Sequence, residues 1–431
     1  MIEGFRVTKH LHGSVADRGA GRSPDTRASI LLWRHSAIWL SILFVASRAV
    51  VFLFMAGRGT DLGVHSGYAE KIIAGNMPFK DFFPEYPPLV FIFTGIPALL
   101  DHSLRWYFPI FRSLCCGVDI LTWLLLLRRN IARPLQSLLY VVCSTALGPL
   151  LYDRIDIVLG FLLLLAIAES LKGRHRTSFL AVGTGIAFKF IPVIWVPALL
   201  AFESKRGIQR FCWAVLLLAL PTVMSFNAMA MLGGSDFGEL FWYHSIRGIQ
   251  IESTPANVEM TFMWFGPPGT VTCEFGSVNL HTAYEPAILR VTNTLLASSI
   301  LASCFIAMRR KMGSDGMSLL LCAVLSAALF LSKVLSPQFL LILLPVLSAQ
   351  ALPPNRLAAT AHCLLVLAIF AMTGAMFPWC YSKVIELVPW AEVILVARNV
   401  CLGILAISLF YRAIVAADSG GDVGGGSRGL R

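Results

Sequence analysis

Long apolar runs alternate with short polar segments along almost the whole chain, from Ile38 to Phe410. Crossing a hydrocarbon core takes about 20 helical residues, so runs of that length predict transmembrane helices. No soluble domain of ordinary size fits between successive runs. The pattern predicts about 12 spans, at 37–55, 106–127, 135–151, 155–171, 177–188, 190–202, 211–230, 287–308, 317–332, 338–352, 357–376 and 390–411.

Composition supports this interpretation, because 57% of the residues are hydrophobic and only 14% are charged, too few to cover a soluble globule. The formal charge of +11 would suggest nucleic acid as the partner of a soluble protein. Here the basic residues indicate topology instead, because they occur in every second loop and cytoplasmic loops are rich in Lys and Arg. The termini and the loops near Arg128, Lys172, Lys205, Arg309 and Arg356 are therefore predicted to be cytoplasmic.

Two segments do not fit regular spans. The apolar stretch from Pro87 to Leu100 would reverse every later loop if it crossed the membrane, so we interpret it as an interfacial or re-entrant helix. The run from Ser178 to Phe202 is broken near Lys189 and Pro192, and two crossings from it would be short. A lysine at membrane depth is tolerated only against protein or a water-filled cavity, so Lys189 indicates a buried polar site.

These considerations predict one membrane domain at 37–411, with disordered cytoplasmic tails at 1–36 and 412–431. The long loops 56–105 and 231–286 are predicted to lie outside a multi-pass protein of the cell (inner) membrane. The 10 cysteines form no CxxC pair and no cluster with histidine, so we expect neither a disulfide framework nor a metal site.

The first outer loop is dense in reactive groups. If the chain after Asp61 is helical, then Asp61, His65 and Tyr68 lie on one face, just above the first span. A carboxylate in that place could accept a proton from a hydroxyl group, or it could simply cap a helix. The loop continues from Gly75 to Leu89 with Asp81, Glu85 and Tyr86 among its polar residues.

Four further polar constellations fall on the same predicted outer side, at Tyr152–Asp156, Phe188–Pro192, Tyr243–Ser253 and Ser332–Gln338. Polar groups from different helices that converge on one face are what an active site covered by loops requires.

Several of these residues could bind a phosphate, namely Lys189, Lys333, Arg154 and Arg247. Each could instead snorkel or form a structural ion pair, and the second role suits Arg154 beside its aspartates. His244 could contact a donor or simply pack in the loop. Lys333 has no acidic residue within seven positions and Lys189 none within ten, so an ion-pair partner would have to come from another helix. Examples of such acids are Asp119, Asp153 and Asp156.

Together these motifs resemble the glycosyltransferases of the C type that use polyprenyl-phosphate sugars, specifically the family 87 group that includes mannosyltransferases. The resemblance covers most of the chain and rests on Asp61, on Gly75–Leu89 (GNMPFKDFFPEYPPL), on Tyr152–Asp156, on Lys189 with Pro192, and on Ser332–Gln338 (SKVLSPQ). His65 stands where the family pattern has an aromatic hydroxyl, and Phe79 replaces a tyrosine. These two departures leave the acceptor open.

The resemblance implies an all-α polytopic fold of the glycosyltransferase C type, with an interfacial helix in the first outer loop. It implies inverting transfer of mannose or another hexose from a polyprenyl-phosphate donor to a lipid or glycan acceptor at the non-cytoplasmic face, without cofactor or metal. Asp61 would be the general base. The implied donor-phosphate ligands are Lys333, Lys189, Arg247 and His244, and the implied substrate contacts are His65, Tyr68, Asp81, Glu85, Tyr86, Arg154, Asp156 and Gln338.

Two other functions remain open on the sequence. A transporter or lipid flippase also uses broken helices and intramembrane lysines, and paired breaks in two halves of the chain would favour it. From the sequence, only Ser178–Phe202 is clearly broken. A catalytically inactive scaffold is the third possibility, and the presence of Asp61 weakly opposes it.

Overall fold

A computed structural model describes the backbone at residues 24–55, 62–128 and 131–419. The predicted base Asp61 and most of the predicted N-terminal tail lie outside the described residues. The helices are α1 (Pro24–Val50), α2 (Leu62–Ile73), α3 (Val90–Leu100), α4 (Tyr107–Leu126), α5 (Pro134–Ala146), α6 (Gly148–Leu151), α7 (Asp156–Leu171), α8 (His175–Phe188), α9 (Val196–Ser204), α10 (Ile208–Met231), α11 (Gly238–Ile246), α12 (Thr254–Met263), α13 (Glu285–Arg309), α14 (Ser314–Leu331), α15 (Leu340–Ser348), α16 (Arg356–Gly374), α17 (Tyr381–Ile385) and α18 (Pro389–Ser419).

The chain is a predominantly helical membrane protein. Within the described residues, seven helices are long and apolar enough to cross a membrane, namely His35–Met55, Tyr107–Leu126, Ile208–Met231, Glu285–Arg309, Ser314–Leu331, Arg356–Trp379 and Pro389–Ala417. The expected number of about 12 spans is not confirmed. The other predicted spans correspond to helices that are interrupted or shorter, such as α7 and α8, with 16 and 14 residues.

The predicted tail boundaries also differ from the observed helices. α1 begins at Pro24 and α18 continues to Ser419, whereas disorder was predicted up to residue 36 and from residue 412. The reason at the C-terminal end is visible in the sequence, since the segment after Phe410 remains rich in helix-forming residues until Gly420.

The centre of the bundle is α14, whose side chains are almost all buried. It packs against α18, α13 and α15, and α15 packs in turn against α7. Gly160 of α7 faces the backbone of α15, where a β-carbon would lie 2.5 Å from the carbonyl oxygen of Leu341. This close approach requires glycine and brings the start of α7 beside the segment that follows α14.

The buried carboxylate of Asp119 inside the bundle is paired with a cation. Arg48 donates to Asp119 over 2.7 Å, and the hydroxyl groups of Tyr140 and Tyr152 also donate to this carboxylate. Such an arrangement is required because an unpaired charge at membrane depth costs several kcal/mol. Asp119 is therefore engaged by α1 and does not serve as the partner of Lys189.

Two helical runs are interrupted in a similar way. After α8, Lys189 has an extended backbone (φ −159°, ψ 129°), and a 3₁₀ turn at Ile191–Trp195 leads into α9. After α14, Ser332 is extended, and a 3₁₀ turn at Pro337–Phe339 leads into α15. The first break confirms the prediction for the run Ser178–Phe202. The second break contradicts the view that only this run is broken.

The second long loop contains a small antiparallel sheet that the helical prediction did not include. Its strands are β1 (Ile249–Gln250), β2 (Thr270–Glu274) and β3 (Ser277–His281), in the order β1-β3-β2, with Ile249 opposite Leu280 and Thr272 opposite Asn279. The turn between β2 and β3 has positive φ at Phe275 and Gly276, as a tight hairpin turn requires.

Candidate active site

A cavity of about 360 Å³, here called the cationic cavity, lies where the two helix breaks meet the two long loops. The first loop contributes Glu85 to Pro87, and the second contributes Phe241, His244, Arg247 and Gly276. The breaks contribute Lys189 to Ile191, Ser332 to Val334, Ser336, Gln338 and Phe339. Seven of the residues predicted from the sequence therefore line one cavity, namely Glu85, Tyr86, Lys189, His244, Arg247, Lys333 and Gln338.

Lys189 reaches the cationic cavity because the backbone leaves the helix at this residue. Its ammonium group lies 2.7 Å from a carboxylate oxygen of Asp156, and both side chains are largely buried. The same group lies 4.5 Å from the ring centroid of Phe339. Asp156 is the first residue of α7, where a helix stabilises a negative charge. Lys189 therefore has a structural partner, and Asp156 binds this lysine within the protein.

Lys333 is held by backbone carbonyl groups. Its ammonium donates to the carbonyl oxygens of Ser245 and Arg247, over 2.9 and 2.6 Å. These carbonyls end α11, where the helix favours a positive charge. Among the described residues, no carboxylate lies within 4.0 Å of it. Burial and the charge of Arg247 lower the pKa of Lys333.

Arg247 follows α11 and adds a second cation that has no ion pair within the described part of the chain. Its Nε is buried and has no hydrogen-bond partner there. Its guanidinium carbon lies 5.7 Å from the ring centroid of Tyr243. A buried donor without an acceptor costs free energy, so this side chain is suited to an anion in the cavity.

His244 lies at the mouth of the cationic cavity and remains neutral near pH 7. Desolvation and the charges of Arg247, Lys189 and Lys333 lower its pKa to about 4. The three cations therefore act together on this residue. A neutral imidazole can donate and accept hydrogen bonds there without adding charge.

Glu85 is the carboxylate of the first loop that lines the cavity. Its backbone N–H donates to the hydroxyl oxygen of Tyr68 over 3.2 Å, and a β-carbon on Gly276 would lie 3.0 Å from its Oε1. The turn between β2 and β3 therefore packs directly against the side chain of Glu85. Burial raises the pKa of Glu85, while hydrogen bonding from Tyr243 and the charges of Arg247 and Lys189 oppose that shift.

His65 and Tyr68 lie behind the wall of the cavity and do not line it. The ring of His65 packs at 5.3 Å from that of Tyr86 and at 5.7 Å from that of Phe111. Burial, with a contribution from Lys189, lowers the pKa of His65 to about 3. Both residues of α2 are buried, so they support Tyr86 and Glu85 and do not reach the cavity themselves.

Two further predicted contacts have other roles in the fold. Asp81 is exposed, and its carboxylate accepts a hydrogen bond from the backbone N–H of Met77 over 2.8 Å, which stabilises a turn. Arg154 is buried beside the charges of Asp156 and Glu252 and does not line the cavity. The suggested pairing of Arg154 with Asp153 competes with Arg112, which lies 2.6 Å from Asp153.

A second polar group, to which α18 contributes two residues that the sequence did not single out, fixes the loop after α11 to the bundle. Gln250 donates to the hydroxyl group of Ser336 over 2.8 Å. Arg398 and Asn399 of α18 donate to the backbone carbonyl of Glu252. The available signal was an arginine within the apolar run 390–411. These bonds link the loop that carries Arg247 to the break that carries Lys333 and to α18.

The described residues contain no group of three or more His, Cys, Asp or Glu side chains arranged to hold a metal ion. No protein-family model matches the chain, and no curated protein matches it significantly.

Proposed function

We propose that this protein is a membrane glycosyltransferase that takes its sugar from a polyprenyl-phosphate donor. The observation that carries the proposal is the cationic cavity, in which Lys333 and Arg247 have no carboxylate partner among the described residues. Lys189 adds a third positive charge, which Asp156 offsets, and the carboxyl group of Glu85 also lines the cavity, so three cations stand against two carboxylates. An anionic group such as a phosphate is the ligand that this excess of positive charge would stabilise.

In the proposed reaction, the acceptor hydroxyl oxygen forms a bond to the anomeric carbon of the sugar while the bond from that carbon to the phosphate oxygen breaks. The leaving phosphate retains the electron pair, and Arg247 and Lys333 would stabilise its charge. The hydroxyl proton passes to a carboxylate, the role predicted for Asp61. Attack opposite the leaving group inverts the configuration at the anomeric carbon.

A lipid donor needs a route from the bilayer to the cavity. α3 begins three residues after Pro87, which lines the cavity, and it has 11 mostly apolar residues, too few to cross a membrane. Ile92, Leu99 and Leu100 of this helix are exposed. A short apolar helix at the membrane interface suits a prenyl chain that lies in the bilayer while its phosphate enters the cavity.

A transporter or lipid flippase is the second candidate, and the paired breaks favour it. Lys189 precedes Pro192 and Lys333 precedes Pro337, so each interrupted run carries a lysine followed by a proline. Broken helices of this kind surround the substrate in many transporters. Both candidates predict a phosphate in the cationic cavity, but only the transferase breaks the bond between sugar and phosphate.

The proposal is tested by the glycolipids and glycans of cells that lack the protein. If the protein is a transferase, these cells should accumulate an acceptor that lacks one hexose of the normal product, together with unused donor. Complementation with the wild-type chain should restore the product, whereas Arg247→Gln should not. Accumulation of an unchanged lipid in only one leaflet would instead identify a flippase and overturn the transferase proposal.

A further inference from the structure

A second cavity, here called the basic groove, lies at the opposite end of α8 from the cationic cavity. α8 begins at His175 beside the groove and ends at Phe188 next to Lys189, about 20 Å away for a helix of this length. The groove has a volume of about 470 Å³. Its lining includes Arg174, His175, Arg176, Phe179, Arg210 and Trp213.

Two arginines of the basic groove have no carboxylate within 4.0 Å among the described residues, namely Arg176 and Arg210. The neighbouring Arg174 differs, because it lies 2.6 Å from Glu169. The guanidinium carbon of Arg176 lies 4.5 Å from the ring centroid of Trp213, which holds this side chain against the groove wall.

The positions of these arginines favour an anion in the groove. Arg176 lies in the first turn of α8 and Arg210 in the first turn of α10, where the helix itself is positive. Neither helix has a side-chain cap. Two positive helix ends and two exposed arginines thus border one groove, together with Glu203, whose carboxylate lies 3.3 Å from Arg206. An anion in the groove would offset the positive charge that remains.

An apolar groove continues from the basic groove along the same three helices. It has a volume of about 320 Å³ and is lined by Ile186 of α8, Val196 and Leu200 of α9, and Leu218 and Val223 of α10. Leu200 and Glu203 lie three residues apart on one face of α9, so the two cavities approach each other to about one helical turn there. The outer face of α10 exposes large apolar side chains, as expected of a surface in contact with lipid.

We propose that the basic groove binds the headgroup phosphate of an anionic phospholipid, with an acyl chain in the adjoining apolar groove. The continuous apolar surface selects a lipid over a soluble phosphate compound. Basic pockets between helices on the cytoplasmic side are typical sites for anionic headgroups. The site is independent of the proposed transfer reaction.

The test is native mass spectrometry of the full-length protein in detergent micelles, titrated with phosphatidylglycerol or with phosphatidylcholine. The wild type should bind phosphatidylglycerol in preference. The double variant Arg176→Gln, Arg210→Gln should weaken this binding about 25-fold. Each positive charge that is lost near a membrane surface should lower the affinity about fivefold, and the two factors multiply. Arg176→Lys with Arg210→Lys keeps the charge and should retain most of the affinity.

The matched control is Arg309→Gln, which removes an arginine from the same end of the bundle but outside the groove. Its guanidinium carbon also lies near an aromatic ring, 5.5 Å from Phe305, and Lys205 donates to the carbonyl of the next residue, Arg310. This variant should bind phosphatidylglycerol as the wild type does. Equal affinity in the double Gln variant, equal binding of both lipids, or full competition by glycerol 3-phosphate would overturn the proposal.

Discussion

The ion pair between Lys189 and Asp156 offers a way to separate a structural role of the lysine from binding of the donor. The exposed fractions of the two side chains are only 14% and 3%. Removal of one member of a buried pair leaves the other charge uncompensated, which costs about 3–5 kcal/mol. We therefore expect Lys189→Met and Asp156→Asn each to lower the free energy of unfolding by about this amount.

The double variant gives the decisive result. When both charges are replaced by groups of similar size, the desolvation of two ions no longer opposes folding, so stability should return to within about 1–2 kcal/mol of the wild type. Transfer should stay below the wild-type level, because the cavity still lacks one of its three cations even though Arg247 and Lys333 remain. Stability is measured by SDS titration in mixed micelles, and transfer by release of polyprenyl phosphate.

A matched control is Lys383→Met. Lys383 lies 2.8 Å from Glu386, close to the 2.7 Å of the buried pair, but both side chains are about half exposed. Its loss should cost at most about 1 kcal/mol and leave transfer unchanged. If the double variant at positions 189 and 156 recovered transfer together with stability, Lys189 would have only a structural role and the reasoning would be refuted.

Three further predictions concern single residues. Arg247→Gln should change the free energy of unfolding by less than about 1 kcal/mol, because no acceptor in the described part of the protein holds its Nε. The same substitution should raise the KM for the donor about tenfold or more. An unchanged KM would exclude contact between Arg247 and the phosphate. Asp61→Asn should keep expression and folding near normal and remove most transfer, since only the carboxylate accepts a proton; near-wild-type turnover would argue against a general base. Burial raises the pKa of Glu252 to about 7, so the folded protein favours the protonated carboxyl group. The contribution of this group to stability is full below about pH 4. It is lost, by about 3 kcal/mol, as the pH rises through 7. In pH-dependent unfolding, Glu252→Gln should abolish this slope, and an unaltered slope would assign it to another group.

The sequence predicted the long helices well because an uninterrupted apolar run of about 20 residues has few alternatives to a membrane helix. It predicted the shorter spans less well. Prolines and lysines near 189–192 and 333–337 end helices early, and glycines such as Gly160 allow close packing that hydropathy does not reveal. The three-stranded sheet was missed because its strands have only two to five residues.

The cationic cavity could be anticipated only in part. Lysines without local acidic neighbours indicated that a polar site was needed, and the search for a partner of Lys189 correctly included Asp156. The environment of Lys333 could not be anticipated, because its partners are backbone carbonyls of residues 245 and 247, whose position depends on the folded loop. For the same reason the sequence did not distinguish His65, a buried packing residue, from a substrate contact.

The central claim is tested most directly by reconstitution of the purified protein in liposomes with a polyprenyl-phosphate-hexose donor labelled in the sugar and an acceptor lipid extract. We expect a labelled product of higher mass and an equal amount of free polyprenyl phosphate, both strongly reduced with Arg247→Gln at donor concentrations below its raised KM. Movement of intact donor between the leaflets, with no release of polyprenyl phosphate, would contradict it.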